Sequence, residues 1–362
     1  MDQNNWERYK SSHPDLREEQ ITQVDKMLSC LDPSKGFFLY ECDDCNLTIT
    51  RKHRCNSRAC SRCGTYYVNK WAEKTSKKLL KVAHSHIIFT MPSSLWHVIK
   101  DNFDCIKELS AACFETISEI YAESSKQEIL PGMIQSLHTF GEDMKYNLHF
   151  HNIVTNGGMS KKHNVWKHID YIPYRLLHRK WKHKCLDIIT KHIPLTMENQ
   201  YLLENLRYFQ YLGGFNVHVV KTDIPRKELI RYIARYIRHP PISNRRIVDY
   251  NGREVTIVCG KKEKTYLTFT VEEFITRIVQ HIPIKSYKII RNFGLYSTRK
   301  YGKVSVKKDT QVTITKYCYS KYSISCPHCG KILNPIEYFP PSLPNGHPKQ
   351  ETSDQKLTHW TG

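Results

Sequence analysis

A chain of 362 residues with 55 Lys+Arg against 35 Asp+Glu carries a formal charge of +20, an excess that favours a polyanionic partner because every neutralised phosphate releases condensed counterions. No run approaches the roughly 18 apolar residues of a membrane helix, and Met1-Asp2-Gln3-Asn4-Asn5 lacks the basic and apolar regions of a signal peptide, so the expected location is the cytosol. In that reducing compartment 13 cysteines point to metal rather than disulfides, while 22 Tyr and 13 Phe offer faces on which unpaired bases can stack.

Between residues 6 and 31, Leu16, Ile21, Val24, Met27, Leu28 and Leu31 recur at helical spacing. Three Cys-x-x-Cys pairs, Cys42/Cys45, Cys60/Cys63 and Cys326/Cys329, exceed the half pair or so that chance predicts. The first two share one short segment, and two such turns complete a tetrahedral S4 zinc site. The basic run Arg51-Lys52-His53-Arg54 between them helps to lower thiol pKa values. Cys30, His53 and Cys55 are left over as parts of a candidate second site, completed by His13 or a shared ligand. Cys326 and Cys329 form half of a candidate C-terminal site, with Cys318, His328 and His347 as candidate partners. An amphipathic helix over about 66–81 follows, and residues 1–78 read as a small zinc-binding, DNA-binding domain.

A strand over 83–90 is stopped by Met91-Pro92, and Ser93 or Ser94 caps a helix running to about residue 125. Strand 132–140 turns through Gly141-Glu142-Asp143-Met144-Lys145 into a strand bearing His149 and His151, which is expected to end at Asn156-Gly157-Gly158. A basic, aromatic, largely helical insertion spans about 160–212, with Lys180 and Lys182 as candidate DNA contacts. Strand 215–220 precedes a helix opened by Pro225 or Arg226; after Pro240-Pro241 come strands near 254–259 and 266–270 and a helix over 271–281. The segment 301–362 is basic, carries the last Cys-x-x-Cys pair and ends in a polar, mobile tail after Pro340. Four strands interleaved with helices, the central pair a hairpin, make the class α+β: an antiparallel sheet backed by helices over residues 79–300.

Two patterns in this region carry chemistry. His149 and His151 point to one face of their strand, with Phe150 on the other, and paired imidazoles can hold a divalent cation on a phosphate. Tyr232 and Tyr236, four apart on a helix, share a face. At about 100° per residue they border an apolar stripe of Leu229, Ile230, Ile233, Ala234 and Ile237, with Arg231, Arg235 and Arg238 beyond as candidate phosphate contacts. A border position packs the ring and leaves the hydroxyl available for attack on a phosphodiester.

The order and wording of these pieces resemble the rolling-circle insertion-sequence transposases of the IS-ninety-one type, two-tyrosine members of the HUH nuclease superfamily. The resemblance runs from about residue 30 to 296. It rests on the zinc segment ending Cys55-Asn56-Ser57-Arg58-Ala59-Cys60-Ser61-Arg62-Cys63, on His86-Ile87-Ile88-Phe89-Thr90-Met91-Pro92, on Leu137-His138-Thr139-Phe140-Gly141, on His149-Phe150-His151 with Gly157-Gly158, and on Tyr232-Ile233-Ala234-Arg235-Tyr236 with Pro241-Ile242-Ser243. Phe140 stands where the family usually has Trp. The resemblance implies Mg²⁺ or Mn²⁺ on His149 and His151, a third polar ligand, and Tyr232 and Tyr236 as nucleophiles forming 5′-phosphotyrosine. His138 is the first choice for that ligand, provided index sums across the hairpin are 287 or 289; His86 is the alternative. It also implies single-stranded DNA at the ends of a mobile element, target DNA and host replication proteins as partners, near the nucleoid of a bacterial or archaeal cell. The rival readings are a plasmid replication initiator or relaxase with the same chemistry, and a non-catalytic zinc-finger regulator.

Overall fold

The computed structural model describes residues 3–76, 78–160, 165–208, 214–220, 229, 240–260, 263–297 and 323–339. Helices α1 (Gln3–Ser12) and α2 (Glu18–Leu28) precede a hairpin of β1 (Phe37–Cys42) and β2 (Leu47–Lys52). Helix α3 (Ser61–Ser76) is followed by β3 (His84–Thr90), the short α4 (Trp96–Ile99) and the long α5 (Phe103–Ser125). Then come β4 (Ile129–Phe140), β5 (Tyr146–Ser160), β6 (Trp166–His168), α6 (Tyr174–His192), α7 (Met197–Tyr208) and β7 (Val217–Val220). Strands β8 (Ile247–Tyr250), β9 (Glu254–Cys259) and β10 (Thr265–Thr270), helix α8 (Val271–Val279) and β11 (Ile290–Gly294) follow. Near the C-terminus lie β12 (Ile324–Ser325), β13 (Ile332–Leu333) and β14 (Glu337–Phe339). The chain falls into two compact units, one of residues 1–23 and 61–304, the other of 24–60 and 305–362.

In the larger unit the main sheet is antiparallel in the order β11-β4-β5-β3-β7, with β6 added to β5. The class is α+β, as the alternation of elements predicts. Strand side chains alternate, so Leu148, Phe150, Asn152 and Val154 of β5 face one way and His149, His151 and Ile153 the other. The first face is buried under α5 and α6, in a core that includes Leu109, Ile117 and Trp181. Trp181 meets Phe89 edge-on at 4.9 Å and donates its indole N–H to the Thr90 carbonyl at 2.7 Å, so the ring is both packed and hydrogen-bonded.

A network of amide side chains runs through this layer. Gln135 Nε2 donates to Asn152 Oδ1 at 2.8 Å and to the Ser110 carbonyl at 3.1 Å, and Asn152 Nδ2 donates to the Ile87 carbonyl at 3.2 Å. The network ties β3, β4, β5 and α5 in one register, because a slip would leave buried amides unsatisfied.

Helix α5 starts at an Asn102 cap, whose side chain accepts the Cys105 N–H at 3.0 Å, and stops at Lys126 in the left-handed region (φ 53°). Helix α8 starts at a full capping box of Thr270 and Glu273, and its stripe of Val271, Phe274, Ile275 and Ile278 is buried. Helix α1 packs there too, with Tyr9 Oη 2.8 Å from Thr276 Oγ1.

Strand β5 does not end at Gly157-Gly158 but continues to Ser160. The glycines mark close approach instead. A Cβ on Gly158 would lie 2.6 Å from the Leu130 carbonyl, and Gly157 (φ 132°) faces β6 just as closely.

The smaller unit holds a second antiparallel sheet, β14-β1-β2. Phe37 stacks on Phe339 at 4.5 Å, and Phe38 lies 4.7 Å from Tyr338. Tyr40, Cys42, Cys326 and Leu333 form its buried centre. Among the described residues, no helix is long and apolar enough to cross a membrane.

Candidate active site and thiol centres

On the face of β5 opposite the helices, three imidazoles converge. The hairpin pairs His138 with His149 and Ser136 with His151, an index sum of 287, so all three histidines share a face. Each offers a ring nitrogen, and these atoms lie within 4.8 Å of one another. Ring centroids are 4.5 Å apart for His138/His151 and 4.8 Å for His149/His151. A bulge directly after His138 ends the regular register.

Hydrogen bonds orient these rings. His149 Nδ1 lies 2.8 Å from the Asn147 carbonyl, which can only accept; Nδ1 therefore carries the proton and Nε2 the lone pair. His151 Nδ1 lies 3.0 Å from His86 Nε2 on the neighbouring strand, and the two rings stack at 5.1 Å. With that edge engaged, Nε2 is the ring nitrogen of His151 left to serve as a ligand atom. His86 thus stands behind His151 rather than in the converging set.

The electrostatics favour neutral rings. Burial pushes His151 well below its usual range, with the other three histidines adding to the depression. Burial also lowers His149, partly offset by its bond to Asn147, and brings His86 down to about 4, helped by His218. Neutral imidazoles arranged this way can serve as nitrogen donors to a divalent ion.

Tyr232, Tyr236, Arg231, Arg235 and Arg238 lie outside the described residues. Leu229, three residues before Tyr232, is described. It is buried with Ile134 and Ile153, which belong to the histidine-bearing face of β4 and β5. Lys180 is occupied by protein carboxylates, 3.0 Å from Glu119 and 2.9 Å from Glu123, while Lys182 is half-buried and desolvation lowers its pKa.

Among the described residues, the smaller unit gathers its thiols otherwise than in the single S4 set expected of Cys42, Cys45, Cys60 and Cys63. Cys30, Cys55 and Cys60 come together in one set, while Cys42 and Cys45 gather with Cys326 and Cys329 in another, the sulfurs of each lying within 4.8 Å; Cys63 belongs to the larger unit. The reason is the pairing of β14 with β1, which carries the C-terminal knuckle to the first hairpin. His53 is in neither set; it packs edge-on against Phe38 and Tyr338. His13 stacks on Tyr9 at 4.0 Å, and His328 is exposed, whereas Cys318 and His347 lie outside the described residues. In the second set, a side-chain hydrogen bond with Cys329 and burial push Cys45 up to about 12, while backbone N–H groups of Cys329 and His328 draw Cys326 down to about 6. Four thiols this close ionise together only around a dication. Their pairing was hidden because spacing reveals each knuckle but not its partner.

Comparison with known proteins agrees with this layout. Residues 1–91 match a family model described as a transposase zinc-binding domain of the IS-ninety-one type, and residues 132–303 match one described as a putative transposase. A transposase for insertion sequence element IS801 from Pseudomonas savastanoi pv. phaseolicola is 28% identical over 302 residues, covering 79% of this chain and 72% of that protein. A putative transposase of Sinorhizobium fredii is 25% identical over 312 residues, covering 81% and 78%. No solved structure matches the chain. With a zinc-binding domain matched at one end and a transposase domain matched across the histidine-bearing sheet, the chain is similar to transposases of the IS-ninety-one type.

Proposed function

We propose that this transposase nicks and rejoins single-stranded DNA at the ends of its own element by HUH-type chemistry, in the cytosol, through 5′-phosphotyrosine formed on Tyr232 and Tyr236. The observation that supports this reading most is the set of three histidine nitrogens within 4.8 Å on one sheet face. Leu229, on the chain just before the tyrosines, is buried on that same face.

In the proposed reaction a tyrosine hydroxyl loses its proton and its oxygen attacks phosphorus. The bond to the 3′ oxygen breaks, and that oxygen takes up a proton as a free 3′-OH. The phosphodiester is conserved as an ester on tyrosine, so the 3′-OH can reverse the step and join a new strand. Two tyrosines permit two such linkages, one for the element and one for the target.

His138, His149 and His151 fit a divalent ion, because each offers a ring nitrogen and these lie within 4.8 Å of one another, with burial favouring the neutral form of His149 and His151. Bound Mg²⁺ or Mn²⁺ would supply Lewis-acid polarisation of the scissile phosphate. His86 and the Asn147 carbonyl hold the ring orientations. Basic side chains, Arg231, Arg235 and Arg238 among them, would track the strand, and host replication proteins would extend the displaced end.

The test is cleavage of an end-derived oligonucleotide by full-length protein with Mn²⁺ or Mg²⁺. His149→Ala and His151→Ala should each abolish nicking while binding, which rests on the basic surface, changes little. Parallel loss of binding and cleavage would make the histidines structural.

A further inference from the structure

The geometry points to a zinc site built jointly by the two ends of the chain, Cys42 and Cys45 from one and Cys326 and Cys329 from the other, which makes residues 323–339 an integral part of the zinc module. Neither family match reaches these last two cysteines, since the matches end at residues 91 and 303.

The sulfur spacing argues first. Cys42 Sγ lies 3.7 Å from Cys329 Sγ, and Cys45 Sγ lies 3.9 Å from Cys326 Sγ. A tetrahedron with Zn–S bonds of about 2.3 Å has edges of about 3.8 Å. A disulfide would bring sulfurs to about 2.05 Å, far closer than either of these pairs.

The backbone argues second, because both halves are built alike. Each Cys-x-x-Cys turn sits at the tip of a β-hairpin, β1–β2 for one and β12–β13 for the other. Each is followed by a left-handed residue, Asn46 (φ 49°) and Gly330 (φ 78°). In the C-terminal turn, Cys326 N–H donates to the Lys331 carbonyl at 2.8 Å and Gly330 N–H to the Cys326 carbonyl at 2.9 Å. Two knuckles facing tip to tip supply four thiolates and complete a closed, structural S4 site.

The surroundings argue third. Lys331 Nζ meets Asp44 Oδ1 at 2.8 Å across the two turns, and Ile336 N–H donates to the Leu39 carbonyl at 2.9 Å beside the β1–β14 pairing. Closing a loop of 281 residues costs entropy that grows only logarithmically with length, and structural zinc exceeds that cost.

The experiment is zinc stoichiometry and thiol mapping on the full-length protein. Wild type should hold two zinc ions per chain. Cys326→Ser, Cys329→Ser and Cys42→Ser should each lose one, and the Cys42→Ser/Cys326→Ser double variant should lose only that same one. Cys55→Ser should lose the other. In wild-type protein, which sidesteps any folding defect, Cys42, Cys45, Cys326 and Cys329 should resist alkylation together and become reactive together when a chelator is added. Retention of both ions by Cys326→Ser and Cys329→Ser would overturn the assignment, as would rapid alkylation of Cys326 and Cys329 while Cys42 and Cys45 stay protected.

Discussion

At the scale of single residues, tautomers decide what the histidine face can do. Asn147 and His86 each engage one ring edge and leave the other available, so in the proposed chemistry His86 would act through His151 rather than as a ligand. An all-imidazole donor set suits Mn²⁺ better than Mg²⁺, which prefers oxygen. Nicking should therefore saturate at a Mn²⁺ concentration at least about tenfold lower than for Mg²⁺; equal requirements would indicate that an oxygen ligand completes the site. A second histidine sets a pH dependence. Burial brings His281 from 6.5 down to about 4, with Nε2 3.1 Å from the Met144 carbonyl and Nδ1 3.1 Å from Thr139 Oγ1. Its folded pKa lies below its unfolded one, so its stabilisation is complete above about 6.5 and fades as pH falls toward about 4. Denaturant unfolding across that window should show the loss, and His281→Gln should flatten it. An unchanged slope in the variant would remove His281 as the cause.

At the scale of elements, alternation in the sequence suffices to place His149 and His151 on one face of β5 and Phe150 in the core. Index sums of 287 or 289 across the hairpin bring His138 alongside, and the hairpin adopts 287. Register itself was not legible, because it is set by the Gln135–Asn152 network and by the bulge after His138, both tertiary features. The extent of β5 was misread for a related reason. Gly157-Gly158 looks like a stop, but only contact with β4 and β6 reveals that the missing side chains make room for neighbouring backbone. Gly158→Ala should accordingly destabilise the protein by about 1–3 kcal/mol, since the new Cβ meets the Leu130 carbonyl. Chemical denaturation checks it, and a loss under about 0.5 kcal/mol would mean that β4 yields easily. Zinc ligands were legible as knuckles and not as pairs, for spacing reports local geometry while the pairing of β14 with β1 joins segments nearly the whole chain apart. Lys180, an apparent DNA contact in a basic stretch, is tied to Glu119 and Glu123 once α5 and α6 pack together.

At the scale of the whole molecule, the +20 charge and the likeness to transposases both suit a polyanion, and the chain falls into two compact units. One carries the histidine-bearing sheet, and the other is a small sheet whose centre contains thiols. Electrostatic binding predicts that affinity for single-stranded DNA falls steeply with salt, with log K against log salt having a slope of about −0.7 per phosphate contacted. His149→Ala should leave that slope unchanged, whereas removing Arg231, Arg235 and Arg238 should make it shallower. The central claim is covalent catalysis on the tyrosine segment at the histidine face, and the covalent adduct tests it most directly. Full-length protein with Mn²⁺ and an end-derived single strand should yield a 5′-phosphotyrosyl peptide that mass spectrometry maps to Tyr232 or Tyr236. The Tyr232→Phe/Tyr236→Phe variant, which keeps both rings, should form none. An adduct persisting in that double variant, or mapping to another residue such as Tyr211, would contradict the account.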